Sequence, residues 1–285
     1  MLSPAPPPPA PGPLVAPDRS STAAAEEAPS LAPAPRTGIV LRQLSFADPL
    51  RWLALGWADF KRAPGIGLFY GACFTVMGWA LMRVYEHAPA YLLALSAGFL
   101  LVAPFLCLGI YHVSREFQAG RQPDFGASLM AWDARMGQLG IFAFVLLVLE
   151  MLWARSTLVI FAVTFDGMPD FKGSILALFD PKNTDFIIAW VIVGGIFAGL
   201  IFAVSVISIP MMLHRSSDAI TAGLTSMRLV LTQPAVLLWW GALLTTLVVL
   251  AMLPGFAGLL VVGPVLGHAS WHAYRSTVAS EVPIS

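Results

Sequence analysis

Charge is scarce in this chain. Asp, Glu, Lys and Arg make up 11% of its 285 residues, less than half the roughly 25% of an ordinary globular chain. That excludes a soluble fold with a charge-coated surface. Sixteen basic residues balance sixteen acidic ones, and the isoelectric point is near 7.0. Nucleic acid is therefore not an expected partner. Cysteine is nearly absent. Cys73 and Cys107 both lie in apolar runs, which excludes a disulfide scaffold and a cysteine-rich metal site. There is no Walker A loop, dinucleotide fingerprint, nucleophile elbow or zinc-hydrolase motif. Gly194-Gly195 sits inside an apolar stretch and is no phosphate loop. No basic segment followed by a short apolar one stands near Met1, so the first apolar stretch is expected to be an uncleaved anchor.

Apolar sequence is what the chain has in quantity. Hydrophobic residues reach 58% and the mean hydropathy is +0.77. The expected class is an all-α polytopic membrane protein. A bilayer core of roughly 30 Å takes about 20 helical residues, and six stretches meet or approach that length: 65–85, 90–113, 139–165, 186–213, 235–253 and 255–274. Pro254-Gly255 reads as the tight turn of the last hairpin. Residues 1–38 hold eleven Pro and nine Ala and read as a disordered cytoplasmic tail. Residues 39–278 form the transmembrane domain, and 279–285 a short second tail. With the N-terminus inside, twelve Lys and Arg lie on the cytoplasmic side and three, Arg83, Lys172 and Lys182, outside. The positive-inside rule then puts both termini in the cytoplasm.

An amphipathic segment precedes each expected hairpin. Leu53, Trp57, Phe60 and Pro64 share one helical face, as do Phe125, Leu129, Trp132 and Met136, and Ile220, Leu224, Met227 and Leu231. Asp48, Asp124 and Ser217 are the expected N-caps. Such helices belong in the inner headgroup plane. The returning helix of each pair carries a proline, at Pro104, Pro210 and Pro264. The pattern reads as three copies of one unit. On a shared axis it would gather His112, His214, His268, His272, Arg115 and Arg275 around a polar cytoplasmic vestibule suited to anions or lipid headgroups.

Two ionisable residues interrupt the third stretch. Glu150 and Arg155 are functional candidates, because a charge near the bilayer centre costs at least ~2.5 kcal/mol. Five residues apart, they point about 140° away from each other on a helix, a poor geometry for an ion pair. His268 and His272, at i and i+4, share a face and could ligate a metal. No carboxylate stands at ligand spacing beside them, so no metal and no cofactor is assigned. Gly67-x-x-x-Gly71, Gly195-x-x-x-Gly199 and Gly263-x-x-x-Gly267 permit close helix approach, inside the monomer or between copies.

The run Pro49 to Phe60, the run Gly263 to Arg275 and Asp218-Ala219-Ile220 together resemble a bacterial family of predicted integral membrane proteins, domain of unknown function 2189. The resemblance extends over about residues 40–278. It implies a bacterial inner-membrane protein, and it brings neither an activity nor catalytic residues. Three functions are weighed. One is a non-catalytic assembly or scaffold protein whose partners are the bilayer and other membrane proteins or further copies of itself. The second is a small transporter or channel built on pseudo-threefold hairpins. The third is a redox or haem protein using the inner histidines.

Overall fold

A computed structural model describes residues 37–88, 91–164, 183–215, 217–278 and 282–283. Residues 1–36, most of the segment 166–185 and most of 279–285 lie outside the described set, and so do the expectations made for them. The chain divides into two units. Residues 39–282 form the larger one and are described below; of the smaller, only Thr37, Gly38 and Pro283 are among the described residues.

Among the described residues ten α-helices follow in order: α1 (Asp48–Arg62), α2 (Pro64–His87), α3 (Leu92–Gln118), α4 (Phe125–Leu129), α5 (Met136–Thr164), α6 (Thr184–Ser205), α7 (Ser208–Arg215), α8 (Ala219–Thr232), α9 (Pro234–Met252) and α10 (Leu259–Thr277). Local sequence sets several of their ends. Pro64 and Pro234 open α2 and α9, where a missing N–H costs nothing and φ is already helical. Asp124 and Asp218 cap α4 and α8, accepting the Ala127 and Thr221 amides at 2.7 and 2.8 Å. Lys61 and Arg62 sit in the last turn of α1, favourable to its dipole.

Four helical stretches among the described residues are long and apolar enough to cross a membrane: Pro64–His87, Met136–Thr164, Thr184–Arg215 and Pro234–Met252. The protein is thus a multi-pass, all-helical membrane protein. The two other expected spans form α3 and α10, helical over 27 and 19 residues with Pro104 and Pro264 inside them. The lower hydropathy of α10 has a plain cause: its C-terminal half carries His268, Ser270, His272 and Arg275.

Three expectations need correction. In α1 the buried stripe is Trp52, Gly56, Asp59 and Phe60, while Trp57 is 45% exposed; the helix starts at Asp48 with Ala47, not Asp48, as its cap. The second amphipathic segment is no continuous helix: α4 has five residues, followed by a turn and one 3₁₀ turn at Asp133–Arg135. α8 is capped by Asp218 rather than Ser217; its apolar face, expected in the headgroup layer, carries exposed Ile220, Leu224 and Leu231. The middle unit also differs from the others in its returning helix, which breaks between α6 and α7 at residues 206–207.

The core lies where α10 packs against α1, α2 and α3, and where α7, α8 and α9 close over it. Trp52, Trp240, Trp271 and Tyr274 are its largest buried side chains. Trp52 meets Trp240 edge-on, with centroids 5.4 Å apart, a favoured aromatic geometry. Glycine lets the backbones approach. A Cβ on Gly56 would collide with the Val265 carbonyl and the Ala269 amide, and one on Gly71 with the Leu260 carbonyl. Gln233 ties the segment before α1 to the start of α9: its Oε1 accepts from Leu44 N at 2.7 Å and its Nε2 donates to the Arg42 carbonyl at 2.8 Å.

Candidate functional site

Two polar sites stand out, and they are built on opposite plans. The first is a buried network between α1, α3, α7 and α10. Asp59 enters it from the stripe of α1, and its Oδ2 accepts two hydrogen bonds. One comes from Ser114 Oγ at 2.8 Å and one from His272 Nε2 at 2.8 Å. Ser114 has a single hydroxyl proton and gives it to Asp59, so at its 2.7 Å contact with His268 Nδ1 the imidazole is the donor. His272 Nδ1 accepts from Gln118 Nε2 at 3.4 Å, and Gln118 Oε1 accepts from Arg275 Nε at 3.2 Å. Arg275 Nη1 donates to His214 Nε2 at 3.2 Å, which leaves His214 Nδ1 to donate to the Tyr274 hydroxyl at 2.8 Å. One hydrogen-bonded chain therefore runs from His268 to Tyr274.

Burial sharpens these bonds. Ser114 is 0% exposed, His268 1% and Asp59 6%. Burial alone would raise the Asp59 carboxyl, but the His272 and Ser114 hydrogen bonds outweigh it and hold the group below its ordinary value. Arg62 Nη1 stands 3.9 Å from Asp59 Oδ1, with its guanidinium over the Phe117 ring. Arg115 and His112 form a separate local pair on α3, with Arg115 Nη2 donating to His112 Nδ1 at 3.0 Å. Beyond them Arg121 holds Glu116 in a bidentate bridge at 2.6 and 2.9 Å, which keeps the Glu116 carboxyl below the usual range.

Ser, His and Asp side by side invite comparison with a hydrolase triad, and the direction of the bonds rejects it. A nucleophilic serine gives its proton to an imidazole that a carboxylate orients. Here the imidazole donates to the serine and the serine donates to the carboxylate. Among the described residues, no three His, Cys, Asp or Glu side chains converge as a metal-binding set.

The second site lies between α5 and α6. Glu150, Trp153, Trp190, Gly194, Gly195 and Phe197 line a groove of about 400 Å³. Glu150 forms no hydrogen bond or ion pair with any described residue. Arg155, a turn and a half further along α5, is exposed and does not reach it. A larger apolar cavity of about 490 Å³ opens between α2, α3, α9 and α10, with Phe74, Phe99, Met252 and Phe256 in its wall.

The structure thus joins His214, His268, His272 and Arg275, pairs His112 with Arg115, and leaves Glu150 and Arg155 elsewhere. The imidazoles are linked through Ser114, Asp59, Gln118 and Arg275. Asp59, Ser114, Gln118 and Tyr274 were not anticipated as site residues. The signal for Asp59 was present: an acid at i+7 from Trp52 and i+3 from Gly56, on what proves to be the buried stripe.

Residues 92–214 match the model of a family described as predicted integral membrane protein (DUF2189). That segment, which runs from the start of α3 to α7, is similar to the family read from the sequence. The runs that first suggested it, in α1, α8 and α10, lie outside the match. No curated protein and no solved structure matches the chain.

Proposed function

We propose, for a multi-pass protein of this membrane family, a non-catalytic assembly or scaffold role in the bacterial inner membrane. In this reading α3 and α10 also cross the bilayer, giving six spans, and both termini face the cytoplasm, as the charge bias supports. The outward apolar sides of α1 and α8, with Leu50, Trp57, Ile220 and Leu224 exposed, rest in the inner headgroup layer. The partners are lipid, other membrane proteins or a second copy.

One observation carries the role. The deepest polar cluster is internal: Asp59, Ser114, His268 and His272 are joined by hydrogen bonds, and none of the four lines either large cavity. Such a cluster fixes α1 against α3 and α10. Gentle detergent extraction followed by size analysis and identification of bound proteins tests the role. A stoichiometric complex that Asp59→Ala dissolves, while α5 and α6 stay folded, supports it. Solute flux in proteoliposomes would refute it. Reporter fusions after residue 278 and within 166–185 test the orientation, and a C-terminal reporter active only outside overturns it.

A second reading, a small transporter or channel, draws support from the groove at Glu150, since intramembrane carboxyls mark pathways.

A further inference from the structure

The α5–α6 groove combines three features that call for one kind of ligand. Its acid has no partner within the described chain. Two indoles line it, Trp153 and Trp190, with ring centroids 6.4 Å apart and planes inclined by 52°. Its floor is Gly194-Gly195, and a Cβ on Gly195 would meet no atom within 4 Å. The space, about 400 Å³, lies within the roughly 300–1,000 Å³ of small-molecule sites.

The chemistry narrows the ligand. Glu150 sits in the middle of Met136–Thr164, a helix long and apolar enough to cross a membrane, so whatever reaches it comes through hydrocarbon. A metal ion or a compact ammonium would surrender its hydration shell for a single carboxylate, which is too little in return. An anion would be repelled. A neutral aromatic would fill the groove and leave the carboxyl unsatisfied. A cation whose charge is spread beneath apolar or aromatic groups meets every requirement. It is weakly hydrated, it neutralises Glu150, and it lies against the negative faces of the two indoles. We infer that the α5–α6 groove binds a lipophilic organic cation, with Glu150 as its counter-ion and Trp153 and Trp190 as its aromatic walls.

The inference goes beyond the scaffold role and gives the transport reading a substrate class. An equilibrium assay keeps the two apart, because binding without flux leaves the site and removes the transport reading. The full-length protein in mild detergent is titrated with tetraphenylphosphonium, followed by calorimetry and by tryptophan fluorescence. Saturable one-site binding is expected, at least ~10-fold tighter than that of neutral triphenylphosphine oxide. Glu150→Gln should weaken the cation by at least ~10-fold and leave the neutral probe unchanged. Gly195→Leu, which fills the groove without touching Glu150, should weaken both. If Glu150→Gln does not fold, Gly195→Leu and the comparison of the two probes carry the test. Absence of saturable binding, equal affinity for both probes, or an unchanged affinity in Gly195→Leu or in a folded Glu150→Gln would overturn the site.

Discussion

The α1–α2–α3–α10 half and the α5–α6 pair use the same residue types to opposite ends. In the first, Gly71 of one small-xxx-small pattern meets the Leu260 backbone, and Gly267 of another meets the Ile110 side chain. In the second, Gly195 and Gly199 face open space. The first half buries an acid and gives it two donors at 2.8 Å. The second places Glu150 in a groove and gives it none. None of the apolar window of Thr184–Arg215 is buried and only 6% of that in Met136–Thr164, against 28% in α2. A small residue or an acid in a membrane helix therefore has no fixed meaning. What it meets decides whether it closes the protein on itself or leaves a surface for something else.

Substitution at the glycines should separate the halves most widely. At Gly71 a side chain must displace the Leu260 backbone, which has no rotamer with which to yield. Gly71→Leu is expected to cost about 3 kcal/mol or more, the upper part of the overpacking range, or to prevent folding. Gly199→Leu is expected within about 0.5 kcal/mol of wild type, as for a surface change. Thermal midpoints in detergent measure both. Equal losses would mean that α6 is packed as tightly as α2, and the contrast would fail.

Removing the buried acid comes next. Asp59→Ala strands the Ser114 hydroxyl and the His272 N–H, so a loss of about 2–4 kcal/mol is expected. The same group predicts a pH dependence. Its folded value lies below the ordinary 3.8, so its contribution is complete above that value and disappears as pH falls through the depressed one. The stability difference between wild type and Asp59→Asn should therefore stay flat from roughly pH 7 to 5 and shrink only in stronger acid. A difference that changes near neutrality would point to a histidine rather than to Asp59.

The sequence made the helices legible and their contacts much less so. Long apolar runs marked α2, α5, α6 and α9, because hydropathy acts locally. The buried side of α1 was not legible, for a physical reason. A glycine scores as nothing on an apolar stripe and an aspartate scores against it, yet Gly56 permits the closest approach to α10 and Asp59 finds its donors there. The clustering of His214, His268 and His272 could be anticipated from their common position after helix prolines. Their bonding could not, since Ser114, Gln118 and Tyr274 supply it from sites up to 154 residues away. The groove at Glu150 was legible only as an unexplained charge.

The smallest expected effect tests the comparison most directly. Glu150→Gln removes a charge and keeps the size and polarity of the side chain. In a closed network that change would break a charge-assisted bond, and the matching Asp59→Asn should be plainly destabilising for that reason. Glu150 has no such bond to lose among the described residues, and its neighbours in the groove, Trp153, Gly194 and Ala198, present no opposite charge. Relieving an isolated carboxylate in hydrocarbon is favourable, while a neutral amide still carries unsatisfied donors, so the two tendencies offset. The midpoint of Glu150→Gln should stay within about 0.5 kcal/mol of wild type. A loss as large as that of Asp59→Asn would show that Glu150 is held by a bond of its own, and α5–α6 would then belong with the closed half of the molecule.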